Sequence, residues 1–174
     1  MEKDTEKGFE VLNAFAQQTN NFCWTLDKPE STMSIGSTLT KKFPDLSILL
    51  LNGPLGAGKT TLVKGIAKSL RIQEPITSPT FPLSQHYPLG SPPLIHLDLY
   101  RIEDKNVANE FFLQEEEECK AMGALMVVEW PERLSIPMPD AWRGKLDYSA
   151  DNQSRFFQLI PPLDRDNKLS ISSK

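Results

Sequence analysis

The amino-acid sequence predicts an α/β fold, in which a mainly parallel sheet is flanked by helices and ends in a C-terminal antiparallel hairpin. Three short, mostly apolar runs, at 46–51, 94–98 and 124–129, are typical of strands that are buried on both faces, as in parallel sheets. Segments with the apolar spacing of helices lie between these runs. Residues 144–149 and 155–160 alternate between apolar and polar side chains, which indicates a hairpin.

Length and composition indicate one globular domain. The chain has 174 residues, 39% hydrophobic and 24% charged, which is enough to bury a core without disulfides. Its two cysteines exclude a disulfide framework. No apolar run approaches the roughly 20 residues of a membrane span, and the charged N-terminus lacks a signal-peptide core. We expect a cytoplasmic protein without membrane contact, with a domain at 22–162 between a flexible N-terminal segment, 1–21, and a flexible tail, 163–174.

The net charge of the sequence is −4, from 19 basic and 23 acidic side chains. A protein that clamps a long stretch of nucleic acid by itself usually carries an excess of Lys and Arg. We therefore expect any involvement with RNA to be shared with a partner rather than carried by this chain alone.

The first elements of the domain are a strand and a helix. Residues 22–26 alternate large apolar side chains, which predicts a strand. Apolar residues then recur every four positions over 28–43, which predicts an amphipathic helix that ends at Pro44. Asp27 and Glu30 have the spacing of a capping box, so Asp27 is predicted to cap this helix.

A glycine-rich loop follows the strand predicted at 46–51. Gly53-Pro-Leu-Gly-Ala-Gly-Lys-Thr60 fits the pattern G-x-x-x-x-G-K-S/T and opens the helix predicted at 59–70. Glycines let the backbone approach phosphates closely, and the N–H groups and the helix N-terminus attract the anion. Lys59 is expected to reach the β- and γ-phosphates, and the Thr60 hydroxyl to ligate Mg²⁺. The residues expected to contact the nucleotide are Gly53, Leu55, Gly56, Ala57, Gly58, Lys59, Thr60 and Thr61.

This motif predicts a P-loop NTPase-like fold and a nucleoside triphosphate site. Random draws from this composition would produce the pattern in roughly 0.5% of chains of this length. Guanine-binding relatives usually carry Asn-Lys-x-Asp, and Asp-x-x-Gly after the second strand. Here Asp98 is followed by Leu, Tyr and Arg, and the Asn-Lys at 167–168 precedes Leu and Ser. ATP is therefore favoured by elimination.

Two acidic residues end predicted strands beside the P-loop. Asp98 ends the run at 94–98, and Glu129 ends the run at 124–129. In a parallel sheet both carboxylates would lie at the ligand edge, where a P-loop protein needs an acid for its magnesium shell. One acid could hold Mg²⁺ while the other polarises water, or both could share the metal. The sequence leaves these roles open, together with a helix-capping role for either acid.

A proline-rich segment separates the P-loop helix from the strand at 94–98. Residues 75–93 hold six of the fourteen prolines, and loops of this length are usually functional or disordered. Thr77-Ser-Pro-Thr-Phe81 opens the segment. Its hydroxyls could reach the γ-phosphate as a switch element, or could serve as ordinary turn residues.

Other polar residues receive structural interpretations. The run 115–118 in the acidic helix predicted at 104–121 is interpreted as a solvated face. His86 and His96 are isolated in the sequence and are interpreted as structural. Trp130, directly after Glu129, is expected either in the core or beside the site.

Four pieces in a fixed order resemble the TsaE family of bacterial P-loop ATPases. They are Gly53-Pro-Leu-Gly-Ala-Gly-Lys-Thr-Thr61, Thr77-Ser-Pro-Thr-Phe81, His96-Leu-Asp-Leu-Tyr-Arg101 and Val128-Glu-Trp-Pro-Glu-Arg133, and the resemblance covers about residues 22–160. It implies a part in the threonylcarbamoyl modification of adenosine 37 in tRNAs that read codons beginning with A. In that family the protein does not transfer the threonylcarbamoyl group; it joins the TsaB–TsaD pair, and its ATP hydrolysis supports repeated turnover.

The resemblance also implies individual roles. Lys59 and Thr60 match the family's phosphate and magnesium residues, and Asp98 and Glu129 match the acids of its Asp-Leu-Tyr-Arg and Glu-Trp motifs. The family's switch threonine matches Thr80, and residues near its nucleotide match Thr32 and Arg155. The predicted site is therefore catalytic at Asp98, Glu129 and Thr80, and metal-binding at Thr60, Asp98 and Glu129.

The sequence departs from the family at two places, and two rival functions stay open. Pro54 stands where the family usually has aspartate, and the helix at 104–121 lacks the usual Glu-Leu…Leu-Gly pattern. One rival is a small-molecule P-loop kinase, although such enzymes use a lid with several arginines, and the six arginines here are not clustered. The other rival is a nucleotide-gated binding module without useful hydrolysis.

Overall fold

The computed structural model describes residues 22–79, 83–150 and 153–162. The predictions made for 1–21, Thr80 and 163–174 lie outside these residues, and the domain bounds stay predictions. A short 3₁₀ turn at Pro131–Arg133 follows the fifth strand. In chain order, the described strands and helices are β1 (Phe22–Leu26), α1 (Pro29–Lys42), β2 (Ile48–Asn52), α2 (Lys59–Ser69), β3 (Ser84–Tyr87), β4 (Leu94–Asp98), α3 (Lys105–Met122), β5 (Leu125–Glu129), β6 (Trp142–Tyr148) and β7 (Arg155–Ile160).

The described strands form one sheet in the order β1-β7-β6-β2-β5-β4-β3. β2 pairs in parallel with β5 and β6, and β5 pairs in parallel with β4. The pairs β1–β7, β6–β7 and β3–β4 are antiparallel. The parallel centre and the C-terminal hairpin confirm the predicted fold class, while antiparallel pairing also reaches both outer edges of the sheet.

Helices cover both faces of the parallel centre. Leu125 and Val127 of β5 belong to one apolar cluster with residues of α1 and α2. Met126 and Val128 point the other way and belong to a second cluster with residues of α3. Since successive side chains of a strand point to opposite faces, this division explains why the central strands are apolar at consecutive positions.

Close packing of α1 against α2 positions the helix that follows the glycine loop. A Cβ on Gly65 would collide with the backbone of Met33, so the absence of a side chain is required there. The Ser37 hydroxyl also donates to the Gly65 carbonyl at 2.7 Å. The crossing therefore holds α2 closely against α1.

The predicted cap of α1 is wrong. Lys28 is the N-cap residue and makes no capping hydrogen bond with its side chain, while Asp27 instead accepts from the Ser31 hydroxyl. The reason is Pro29, which occupies the first helical position that proline favours. The proline places the helix start one residue later than the capping-box pattern requires.

The helix α3 has a conventional start and one unexpected side chain. Asp104 caps it by accepting from the N–H groups of Asn106 and Val107. The prediction that 115–118 is a solvated face is wrong for Glu115, which is only 9% exposed. Its Oε2 accepts from the Ser84 hydroxyl at 3.0 Å and bonds His86 Nε2 at 2.6 Å. These partners belong to β3, which the sequence pattern could not place beside α3.

The carboxyl ends of three parallel strands meet beside the glycine loop. Asp98 is paired with Glu129 in the β4–β5 register, and Glu129 is paired with Leu51 in the β2–β5 register. Both acids therefore lie at the same edge of the sheet as the loop after β2. Among the described helices, none is both long enough and apolar enough to cross a bilayer.

Candidate nucleotide-binding site

The glycine loop connects β2 to α2 with a backbone that requires glycine. Gly58 has φ 104° and is the N-cap residue of α2, and Gly53 has φ 149°. A Cβ on Gly53 would also collide with the carbonyl of Leu146 in β6. Side chains are disfavoured at such φ values. Without side chains at these positions, the backbone of the loop stays accessible to a ligand at the N-terminus of α2. This end of a helix attracts anions.

A cavity of about 440 Å³ lies over this loop, within the usual range for sites that bind small ligands. Its lining comes from the loop, the start of α2, the segment after it, and the ends of β4 and β5. The lining residues are Leu55, Gly56, Gly58, Lys59, Thr60, Thr61, Ser78, Pro79, Asp98, Tyr100, Arg101, Glu129 and Trp130.

Lys59 brings a buried positive charge to the cavity. It is 5% exposed, and its Nζ donates to the carbonyls of Gly53 at 2.7 Å and Pro54 at 3.0 Å. The same Nζ lies 4.0 Å from the ring centroid of Trp130, within the range of a cation–π interaction. Burial lowers the pKa of Lys59, and the nearby Glu129 carboxylate opposes that shift. Because Pro54 contributes only its carbonyl, its departure from the family pattern leaves this contact in place.

Glu129 is a buried carboxylate with two donors on one oxygen. The side chain is 3% exposed. Its Oε1 accepts from the Thr60 hydroxyl at 2.9 Å and bonds His96 Nε2, also at 2.9 Å. Among the described residues, Oε2 has no hydrogen-bond partner, and Glu129 lines the cavity. One oxygen is therefore anchored inside the protein, and the other is available to a ligand.

Asp98 has different neighbours from Glu129. It is 8% exposed, its Oδ2 accepts from the Ser78 hydroxyl, and its Oδ1 accepts from the N–H of Tyr100 at 3.0 Å. Ser78 belongs to the Thr77-Ser-Pro-Thr-Phe81 piece. Asp98 therefore connects the sheet to the described part of the proline-rich segment, whereas Glu129 connects it to α2.

The structure brings most of the predicted site residues together, and four of those that it describes lie outside the cavity lining. Gly53 and Ala57 belong to the loop but do not line the cavity, and Ala57 is completely buried. The Thr32 methyl lies 3.7 Å from the position that a Cβ on Gly58 would take. Arg155 does not line the cavity; its Cζ lies 5.5 Å from the ring centroid of Tyr148. Thr80 lies outside the described residues.

Several residues at the site were missed by sequence reasoning or left unassigned. His96 was interpreted as structural, although it contacts Glu129. Ser78 had no separate role, and Trp130 was left between the core and the site. No motif in the sequence indicated Tyr148 as a site residue, yet its hydroxyl donates to the Leu55 carbonyl of the glycine loop at 3.1 Å. The sequence did contain one indication for His96. It lies two residues before Asp98, and alternate residues of a strand share a face, so both side chains were expected on the same side of the sheet.

The oxygen atoms at this site fit a magnesium ion whose coordination shell is completed by phosphate and water. They do not fit a metal ion that is coordinated by protein side chains alone. Among the residues that the structure describes, no group of three or more His, Cys, Asp and Glu could hold a metal. Mg²⁺ in phosphate sites usually takes one or two protein oxygens and completes its shell with phosphate and water. The Thr60 hydroxyl and the Glu129 carboxylate, beside a cradle suited to phosphates, match that donor set.

The family model of the threonylcarbamoyl adenosine biosynthesis protein TsaE matches residues 26–156 of this chain. The chain belongs to the TsaE family. The predicted family is therefore confirmed, and with it a place in tRNA threonylcarbamoyladenosine biosynthesis.

TsaE proteins of other organisms agree with this assignment. The chain is 40% identical to a TsaE from Nostoc sp. over 132 residues, which cover 76% of this chain and 81% of the relative. It is 42% identical to a TsaE from Mycobacterium bovis over 118 residues, which cover 64% of this chain and 69% of the relative.

A solved structure agrees with the fold observed here. The crystal structure of Bacillus subtilis YdiB superposes with a TM-score of 0.64 at 26% sequence identity. The match covers 87% of this chain and 93% of YdiB. It supports a P-loop NTPase-like fold for this chain.

Proposed function

We propose that this chain binds ATP with Mg²⁺ and hydrolyses it, as the ATPase component that supports threonylcarbamoyl modification of adenosine 37 in tRNAs reading codons that begin with A. The observation that carries the proposal is the hydrogen bond between the Thr60 hydroxyl and the Glu129 carboxylate, at the N-terminus of α2. P-loop NTPases hold Mg²⁺ with these two kinds of oxygen, one after the loop lysine and one at the end of a neighbouring strand.

The different neighbours of the two acids support different roles. Glu129 shares a hydrogen bond with Thr60 and is the acid that would hold Mg²⁺ together with that hydroxyl. Asp98 contacts Ser78 instead and is the acid that would orient a water molecule beneath the proline-rich segment. When bound, the metal ion would neutralise charge on the phosphate oxygens.

The remaining site residues bind and enclose the substrate. The glycine loop offers backbone N–H groups to the phosphates, and the buried Lys59 supplies a positive charge close to them. Asp98, as a carboxylate, can accept a hydrogen bond from the attacking water and so orient it. Ser78 and Pro79 also line the cavity, and they would limit the access of bulk water to the reacting phosphate.

We further propose that the chain acts with TsaB and TsaD and meets tRNA through them, in the cytoplasm. The net charge of −4 supports shared rather than independent RNA binding. At physiological salt the isolated chain should bind tRNA weakly, and binding should appear with TsaB–TsaD and ATP. Submicromolar binding of tRNA by the chain alone would contradict this part of the proposal.

The decisive experiment measures phosphate release from ATP by the purified chain, alone and with TsaB–TsaD and tRNA, with Mg²⁺ or with EDTA. We expect hydrolysis that depends on Mg²⁺ and increases with the partners. Calorimetry with ATP and ADP on the same preparation separates binding from hydrolysis. If ATP binds but is not hydrolysed in any mixture, the ATPase proposal is wrong.

A nucleotide-gated binding module is the second candidate, and one contact favours it. The Ser78 hydroxyl donates to Asp98, so the proline-rich segment is attached directly to a site acid. Such a contact can pass the state of the nucleotide to a surface segment. For this candidate, assembly with TsaB–TsaD should follow ATP binding while hydrolysis by the mixture stays absent.

A further inference from the structure

His96 lies in the middle of β4 and is completely buried. Every residue of this strand is buried, and the neighbours of His96 on either side, Ile95 and Leu97, belong to the apolar cluster under α3. The side chain of His96 points to the opposite face of the sheet. The side chain of Asp98 points to that same face, because the two residues are two positions apart on one strand. The imidazole therefore stands between the apolar core and the acidic edge of the sheet.

The two ring nitrogens of His96 have different surroundings. Nε2 lies 2.9 Å from Glu129 Oε1, whereas Nδ1 is buried and has no hydrogen-bond partner in the described part of the chain. Because a carboxylate only accepts hydrogen bonds, the hydrogen belongs on Nε2. An apolar side chain would fill this position without an unpaired nitrogen, so packing alone does not account for a histidine.

We propose that His96 is a positioning residue for Glu129, and that it determines which carboxylate oxygen faces the cavity. The Nε2–H group anchors Oε1 and thereby directs Oε2 toward the ligand. Thr60 donates to the same Oε1, so His96 keeps this oxygen hydrogen-bonded when the Thr60 hydroxyl turns toward a metal ion. The inference rests on the proposed ATPase function and extends it to a residue that need not touch the nucleotide.

The matched test replaces His96 with two side chains of similar length. His96→Gln keeps an N–H donor that can reach Oε1, whereas His96→Met fills the space without a donor. The same two substitutions at His86 serve as the control, because His86 of β3 bonds Glu115 of α3 and not Glu129. Single-turnover ATP hydrolysis, ATP affinity in EDTA, and ATP affinity as a function of Mg²⁺ concentration are measured for each variant.

We expect His96→Met to lower single-turnover hydrolysis and the Mg²⁺-dependent gain in ATP affinity by about 10- to 100-fold, the usual effect of losing a residue that orients a metal ligand. Its ATP affinity in EDTA should stay at the wild-type value. His96→Gln should recover most of the loss, and neither change at His86 should have an effect.

A double-variant experiment separates positioning from packing. In a Glu129→Gln background, His96→Met should cause little additional loss of hydrolysis, because its effect passes through Glu129. Independent, additive losses would overturn the inference, and so would wild-type hydrolysis in His96→Met. If His96→Gln does not fold, the Met variant and the double variant still decide the question. If the wild-type chain does not hydrolyse ATP at all, the proposed function fails, whereas unchanged hydrolysis in His96→Met removes only the role of His96.

Discussion

Two histidine–glutamate pairs lie on neighbouring parts of the same sheet and differ in what surrounds them. His96 and Glu129 join β4 to β5, with side chains that are 0% and 3% exposed. His86 and Glu115 join β3 to α3, with side chains that are 37% and 11% exposed. The first pair shares its carboxylate with Thr60 at the glycine loop, and the second shares its carboxylate with Ser84.

The two pairs differ in their location rather than in their chemistry. Both pairs combine an imidazole nitrogen with a carboxylate oxygen that also accepts from a hydroxyl. The pair at the carboxyl edge of the parallel strands lies where ligands bind in open α/β sheets. The pair at the antiparallel edge fastens a helix to an outer strand. The predictions below test whether this difference in location extends to activity.

The largest effect is expected at the two glutamates. Glu129→Gln removes the anionic oxygen proposed to hold Mg²⁺. Because a bound metal ion contributes several kcal/mol of charge stabilisation, single-turnover ATP hydrolysis should fall by about 10²–10⁴. Glu115→Gln makes the same chemical change outside the cavity and should leave hydrolysis unchanged. If both variants lose activity equally, the distinction between the two pairs is wrong.

The next effect concerns the positive charge beside the buried pair. Lys59→Ala removes a charge-assisted contact of about 1.5–3 kcal/mol, so ATP affinity should fall roughly 10- to 150-fold by calorimetry. Lys64→Ala, on the exposed side of the same helix, is the matched control and should bind ATP normally. Wild-type affinity in the Lys59 variant would exclude the glycine loop as the phosphate site.

A smaller effect is expected at the neighbouring acid. Asp98→Asn keeps an acceptor for Ser78 but removes the charge, so hydrolysis should fall by about tenfold, the equivalent of about 1.4 kcal/mol between charged and neutral hydrogen bonds. Its Mg²⁺-dependent ATP affinity should change less than that of Glu129→Gln. If Asp98→Asn changes the Mg²⁺-dependent ATP affinity more than Glu129→Gln does, the roles proposed for the two acids are reversed. Asp104→Asn, which keeps a good helix cap, serves as the control.

The smallest effect is expected on stability at the outer pair. Glu115→Ala removes the partner of both His86 and Ser84, and because this pair is partly exposed, the free energy of unfolding should fall by only about 1 kcal/mol. Urea unfolding measures this change, with ATP hydrolysis by the folded variant as the second readout. A large loss of hydrolysis in the folded protein would show that the antiparallel edge also acts on the site.

The local parts of this protein could be predicted from the sequence by itself. The glycine pattern from Gly53 to Lys59 and the apolar runs that form β2, β4 and β5 are contiguous in the chain. Their conformations follow from steric freedom at glycine and from burial on both faces of a strand. The family was also predictable, because the four motifs occur within short stretches and in a fixed order. The cap of α1 was the local exception, since Pro29 prevailed over the capping-box pattern.

The tertiary structure alone decided which polar side chains meet. His96 and Glu129 are 33 positions apart, and His86 and Glu115 are 29 apart. Nothing in either local pattern distinguishes a histidine beside the cavity from a histidine at the outer edge. Strand order and register bring the first to Glu129, and the packing of α3 brings the second to Glu115. Such contacts depend on how separate elements align in space. The periodicity of a single helix or strand carries no information about that alignment.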